Sequence, residues 1–582
     1  MSKRRIAALL LCTLPFTNLP ARAQTPAPSA PQTQTAQAPT PTPTPTEIDR
    51  IKDEGLNRSQ VMQTLSYLTD VIGPRLTNSP GMKRANEWTR DKLMEWGLQN
   101  ARLEAWGPFG RGWTLKRFSA EVVEPQTIPL IAYPKAWSPG LASPLNAEVV
   151  YLDATKEEEL QKFRGQLRGK IVLTSPVREV RAHFDAEAVR LTEKQLLDLA
   201  NAPDPATRPA RAGRQQTPEQ RAAAAFNTRR LSFLNEEGAA LLVDPGRGDG
   251  GNIFVGGVSV PQPAPAPTPA APATARRTFR AWETDAPKFA PQLVLAVEHY
   301  NRLARMIQQG ERVRMNVNLD VEYQDKDLMG YNTIAEIPGS DLKDEVVMLG
   351  AHLDSWHGGT GATDNAAGCA VVMEAVRILK ALNLQPRRTV RIALWSGEEQ
   401  GLLGSRAYVK EHFGELVTPS PTPTPDAPAD AEASPTPAPT APASQARLVT
   451  KPEYEKFSAY YNLDNGTGRI RGVYMQGNEG VRSLFRQWLQ PFADLGAQTL
   501  TLSNTGSTDH VPFDTIGLPG FQFIQDGVEY GSRTHHSTQD LYDRLQADDM
   551  KQASVVMAAF IYQTAMLNER LPRKAPPGAG RR

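Results

Sequence analysis

The rhythm of apolar and polar positions changes along this chain. Residues 48–67 carry apolar side chains at the three-and-four spacing of an amphipathic helix; residues 88–96 repeat it and stop at Gly97. From about 120 to 290 the texture shifts to short apolar runs, and 147–152, 170–174 and 239–243 predict strands. A polar Ala/Arg-rich segment at about 200–225 and a Pro/Ala run at 261–275 interrupt them and predict poorly ordered excursions. From about 315 to 568 strand and helix alternate. Strands are expected at 346–350, 390–395, 458–463 and 520–524, and helices at 366–382, 402–413 and 548–567. Such alternation predicts an α/β fold, a sheet flanked by helices, with a β-rich region inserted ahead of it.

A length of 582 residues calls for two globular domains plus linkers, and a hydrophobic fraction of 40% is enough to fill their cores. The 49 prolines gather in tracts at 24–46 and 417–446, where few apolar residues offset the entropy of ordering. The second tract interrupts the α/β region, yet a loop-out there costs little, because closure entropy grows only as the logarithm of length. The expected organisation is a leader at 1–23, a linker at 24–46, the first part of the main domain at 47–124 and an insert at 125–290. The main domain resumes over 291–568, and a basic, Pro-rich tail fills 569–582.

Formal net charge is +2, with no basic stripe, which argues against a nucleic-acid partner. Lys3, Arg4 and Arg5, the apolar run 6–16 and Ala21-Arg22-Ala23 form the three parts of an export signal. Removing it takes away four cations and leaves the mature chain near −2. No later run approaches the roughly 18 apolar residues of a membrane span, so a soluble, exported protein, periplasmic or extracellular, is expected. Of the two cysteines, Cys12 lies in the leader. Cys369 alone remains, so no internal disulfide forms, and its apolar helical setting reads as a buried thiol.

Chemistry concentrates where the strands of the second half end. His352 and Asp354 follow the first strand, and Asp364 opens the next helix. Glu398 and Glu399 follow the second strand, Asp464 the third, and His536 lies beyond the fourth. Open α/β sheets place their functional crevice at these carboxyl ends. Two imidazoles and three carboxylates suit zinc, and one bridging carboxylate lets five side chains serve two ions with room for water. Asp354, two residues from His352, is expected to accept the second imidazole N–H. Glu398, beside Glu399, is expected to act as general base. Taken singly, each residue has an ordinary explanation: a solvated Glu pair, a helix cap at Asp364, a turn at Asp464.

The runs His352-Leu353-Asp354-Ser355-Trp356, Gly361-Ala362-Thr363-Asp364-Asn365-Ala366-Ala367-Gly368 and Leu394-Trp395-Ser396-Gly397-Glu398-Glu399-Gln400-Gly401 resemble the M28 family of zinc peptidases, in its carboxypeptidase Q branch. Supporting pieces are residues 71–76 (Val-Ile-Gly-Pro-Arg-Leu), 332–339, 506–510 and His535-His536 ahead of Asp540. The resemblance runs from about 50 to 568. It implies a mixed-sheet zinc exopeptidase domain of the phosphorylase/hydrolase-like kind, with a protease-associated (PA) domain inserted. It implies two Zn²⁺ per subunit: His352 and Asp464 on one, Glu399 and His536 on the other, Asp364 bridging. It also implies Glu398 as base, with Asp354 supporting His352. His510 and His535 are candidates for substrate or oxyanion contact. Short peptides are the implied substrates, and family members form homodimers.

Two departures stand out. The tract at 417–446 replaces a short connection, and His357-Gly358 follow the Ser-Trp pair where relatives carry Asp and Val. His357 is expected at the pocket rim. The sequence leaves aminopeptidase, carboxypeptidase and dipeptidase action open. A non-catalytic binding ectodomain of the same fold is the rival reading, opposed by the complete ligand set. A single-zinc glutaminyl cyclase is opposed by the insert.

Overall fold

The computed structural model describes residues 45–207, 217–262, 277–417 and 446–574. The expected leader, most of the linker, most of the second Pro-rich tract and the end of the tail lie outside these residues.

Two eight-stranded sheets organise the chain. The main sheet runs Gln99–Trp106, Gly330–Ile337, Arg388–Trp395, Leu342–His352, Phe457–Asn462, Gly520–Gln525, Ile470–Tyr474, Thr499–Thr501. Its four central strands, Arg388–Trp395 through Gly520–Gln525, are parallel to one another. They are buried along most of their length, as in a sheet covered on both faces. One face packs Val347, Leu349 and Ile392 under the helices Ala367–Ala381 and Ala547–Met566. The other packs Met348, Trp395 and Tyr460 against Tyr408, Phe413 and Phe513.

Because the central strands are parallel, their carboxyl ends lie along one edge. His352 is in register with Trp395, and Gly350 with Asn462. The loops bearing Glu398, Asp464 and His352 therefore leave the sheet side by side. Gly368 permits the helix that follows Asp364 to start against this edge, since a Cβ there would lie 2.3 Å from the Leu463 carbonyl oxygen.

The second sheet runs Ile128–Pro129, Gly112–Glu124, Arg314–Gln324, Leu145–Tyr151, Ile171–Leu173, Leu241–Pro245, Gln292–Leu295, Ala132–Pro134. It extends past the expected 125–290, because the long antiparallel pair Gly112–Glu124 and Arg314–Gln324 belongs to it. Two other expectations are corrected. Residues 218–225 open a 19-residue helix, Pro218–Glu236, started by a capping box between Thr217 and Gln220 with proline at its first position. The helix expected at 88–96 begins at Pro80, where the Ser79 side chain accepts from the Met82 N–H.

Candidate metal centre

The strand Leu342–His352 delivers His352 to the sheet edge with its side chain only 1% exposed. Its Nδ1 lies 3.0 Å from the main-chain carbonyl oxygen of Asp354. A carbonyl only accepts, so Nδ1 carries a proton there and Nε2 is the nitrogen turned toward the carboxylates. That Nε2 lies 3.2 Å from both Asp364 Oδ1 and Asp464 Oδ1. Asp364 turns its other oxygen, Oδ2, to His536 Nε2 at 3.1 Å, and Glu399 Oε2 meets the same nitrogen at 2.9 Å. The five expected ligands thus converge, with Asp364 between two imidazole–carboxylate pairs.

Asp354 differs from expectation. Its main-chain carbonyl orients His352, while its carboxylate oxygen stays 3.7 Å from that ring. The strand ends at His352, so the two residues no longer share a face. The carboxylate instead accepts the backbone N–H groups of Glu398 and Glu399 (3.2 and 3.3 Å) and the Thr77 hydroxyl (2.9 Å). It fixes the turn that carries Glu398 and Glu399.

The electrostatics are those of crowded acids. Burial pushes the Glu398 carboxyl well above its usual range, and Asp464, Asp509 and Glu399 add to the rise, against the pull of His352. Burial, then the Asp364 charge, lift Glu399 to about 8. Against the effect of its own burial, Glu399 and Asp364 raise His536 to about 10. Asp364, facing both imidazoles, is held far below the usual range despite burial. Asp364 Oδ2 and Glu399 Oε1 are buried without a hydrogen-bond partner. No lysine or arginine pairs with these carboxylates among the described residues. The imidazole–carboxylate contacts, with Asp364 Oδ2 orphaned opposite His536 and Glu399 Oε1 orphaned beside it, fit divalent cations that take the place of the protons now shared across these contacts.

The remaining sequence candidates fall elsewhere. His535 Nε2 lies 3.6 Å from Asp364 Oδ2, and the ring, 44% exposed, packs on His536 and Tyr530. His510 is fully buried beside Gln476, 3.2 Å from the Thr505 carbonyl, and does not join the cluster. His357 does not line the pocket rim: it is buried, donates Nε2–H to the Pro134 carbonyl of the second sheet (2.8 Å), and packs on Trp113 and Tyr133. Cys369 is buried as expected, its thiol pushed up to about 12 by burial and 3.0 Å from the His352 carbonyl.

Three supporting residues escaped the sequence reading. Arg75 is fully buried and donates only to main-chain carbonyls, those of Leu68, Gly73, Leu353, Thr360 and Gly361, thereby pinning the loop after His352. Asp540 accepts the backbone N–H groups of Thr363 (2.5 Å) and Asp364 (3.3 Å). Tyr530 stacks near His535, and its phenol is pushed well up by burial, then by the Asp364 and Asp464 charges. Arg75 and Asp540 sit inside the motifs quoted above, which was the available signal; nothing in the sequence marked Tyr530.

Fold and site together define a metal-dependent hydrolase on a mostly parallel α/β sheet. Residues 332–421 and 441–561 match the profile of Peptidase family M28, and this match together with the relatives that follow supports a metallopeptidase. It is 25% identical to carboxypeptidase Q of Mus musculus over 522 residues, 89% of this chain and 88% of that one. It is 30% identical to leupeptin-inactivating enzyme 1 of Streptomyces exfoliatus over 192 residues, 33% of this chain and 34% of that one. The crystal structure of a peptidase M28 precursor from Shewanella amazonensis shares the fold, with a TM-score of 0.59 at 22% identity, covering 91% of this chain and 98% of that one.

Proposed function

We infer that the chain is an exported dizinc exopeptidase acting on dipeptides or the ends of short peptides. The observation that carries this reading is the Asp364 carboxylate, whose two oxygens face His352 at 3.2 Å and His536 at 3.1 Å. His352, Asp464 and one oxygen of Asp364 would hold one zinc; His536, Glu399 and the other oxygen would hold the second. A donor set of imidazole and carboxylate without thiolate is compatible with zinc in a site that keeps positions open. Bound zinc would supply polarisation of a peptide carbonyl and a lowered pKa for water.

The chain's own residues supply proton transfer and positioning. Glu398 takes a proton from the attacking water and later gives it to the departing amine nitrogen. The Asp354 carboxylate keeps Glu398 and Glu399 in one turn. Tyr530 stays protonated and offers an O–H to negative charge developing on the substrate oxygen. Substrate enters past His535 and His536, the exposed side of the cluster. Carboxypeptidase Q, similar over most of the chain, supports the choice of chain ends over internal bonds. The second sheet is read as the inserted PA domain. The basic, apolar start with Ala21-Arg22-Ala23 supports export, and among the described residues no helix is long and apolar enough to cross a membrane.

The test is zinc content together with hydrolysis of free dipeptides, N-blocked peptides and aminoacyl anilides. Two zincs per chain with cleavage of at least one class supports the reading, and the class cleaved identifies the terminus required. A folded protein that binds no zinc and cleaves none of the panel sinks it in favour of a binding ectodomain.

A further inference from the structure

His536 is the one expected ligand with a positive φ. Its φ is +60°, the left-handed region, where the Cβ of a non-glycine residue crowds the backbone. It sits on a loop well beyond the end of its strand, and its side chain is 27% exposed. His352, by contrast, is held by its own strand. Something other than the main sheet must therefore fix His536.

The second sheet's domain does so. Its residues 252–255 lie along 533–538 and join them through one antiparallel bridge. The Val255 N–H donates to the His536 carbonyl (2.8 Å), and the Thr538 N–H to the Ile253 carbonyl (2.9 Å), on either side of an antiparallel bridge between Phe254 and Ser537. Side chains complete the splint. Asn252 Nδ2 donates to the Arg533 carbonyl (2.8 Å). The Thr538 hydroxyl accepts from the Ile253 N–H and donates to Asn252 Oδ1, both at 3.3 Å. Val255 also packs so tightly on Gly358 that a Cβ there would lie 2.7 Å from its methyl.

We propose that residues 252–255 of the inserted domain position His536 as a metal ligand, so that the insert sets the affinity of the His536–Glu399 half of the centre and not of the His352–Asp464 half. This rests on the dizinc reading. The insert's role is then more than shaping access: displacing residues 252–255 moves His536, while His352 and Asp464 stay anchored at the ends of their own strands. Asn252 and Thr538 are the positioning residues.

The experiment compares wild type, Asn252→Ala, Thr538→Val and the conservative Thr538→Ser, each loaded with zinc and dialysed against graded chelator. Bound zinc per chain is counted at each step. Outer-shell support of a ligand typically changes metal affinity by about 10–100-fold. Asn252→Ala and Thr538→Val are expected to release one equivalent at about 10–100-fold lower free chelator, leave the other unchanged, and fall in kcat more than they rise in KM. Thr538→Ser is expected to follow wild type. In metal-free protein, hydrogen exchange at the Val255 and Thr538 amides is expected to quicken in the first two variants, while the strand Leu342–His352 stays protected. Release at the wild-type chelator concentration, equal weakening of both equivalents, or unchanged exchange overturns the proposal. A wild type without zinc overturns the dizinc reading and this proposal with it. A two-zinc wild type matched by the variants overturns this proposal alone.

Discussion

Two clusters in this molecule, one half-buried and one buried, bring imidazoles within about 3 Å of carboxylates, and they balance charge differently. In the first, His412 Nε2 meets Glu104 at 2.7 Å and Nδ1 meets Glu453 at 3.1 Å, while Arg391 pairs with Glu336 and Glu453 and Arg102 with Glu104. Three carboxylates there face two arginines and one imidazole that can charge, and none of these side chains has a buried polar atom without a partner. In the second, Asp364, Glu399 and Asp464 crowd two imidazoles with Glu398 nearby, form no ion pair with lysine or arginine among the described residues, and leave two oxygens orphaned. A protein that brings its own cations closes such a network by itself. One that omits them at the carboxyl edge of a parallel sheet has left that charge to a ligand.

The largest expected effect sharpens the catalytic side of this contrast. Glu398→Gln keeps the shape of the turn and removes the proton acceptor, so kcat falls by about 10²–10⁴-fold, while zinc per chain is unchanged. A variant with near-wild-type turnover shows that Glu398 is not the base. Removing metal comes next. If the cations bind the folded state alone, stripping them lowers stability by about 4 kcal/mol at ligand concentrations near 1,000 times Kd. Chelator should shift the denaturant midpoint of wild type. In His352→Ala the shift should be smaller, since half the centre is already lost, and equal shifts in the two proteins break the assignment of His352.

Arg75→Met tests the scaffold instead of the ligands. It leaves five carbonyls without their donor in a site sealed from water, and is expected to destabilise by about 3–5 kcal/mol. Its measurement is the denaturant midpoint of metal-free protein, because the loss must be present before any cation binds. A loss under about 1 kcal/mol shows that water or neighbouring N–H groups replace the guanidinium.

Arg75 also shows where sequence reasoning stops. Strands 346–350 and 458–463 were legible as short, mostly apolar runs, Val346-Val347-Met348-Leu349 and Ala459-Tyr460-Tyr461, and His352 and Asp464 followed as polar residues beyond their ends. A side chain bonded to main-chain carbonyls, as in Arg75, imposes no residue type on its partners and leaves no pattern. His357 was misplaced because adjacency to a ligand says nothing about which of two sheets the ring faces. The role of Asp354 passed from carboxylate to carbonyl because the i, i+2 rule holds only inside a strand. The helix Pro218–Glu236 was legible and overlooked: Thr217, Pro218 and Gln220 spell its start.

The smallest effect belongs to the self-neutralised cluster and is a matter of protons alone. Burial pulls His412 down, but hydrogen bonds and charge from Glu104 and Glu453 lift it to about 9. Its folded value is raised, so its contribution is complete below the unfolded value near 6.5 and disappears as pH rises through 9. Glu453 moves the other way, to about 2, chiefly through its hydrogen bond to His412; its contribution is complete above about 4.5 and disappears as pH falls through 2. Both act fully only between about pH 4.5 and 6.5. With solvent screening discounted, the His412 share is about 2 kcal/mol. Urea midpoints of zinc-saturated wild type should fall between pH 6.5 and 9, and those of His412→Gln should fall less. Parallel curves would mean that the imidazole stays neutral, and the contrast between a cluster neutralised from within and one left to metal would lose its first half.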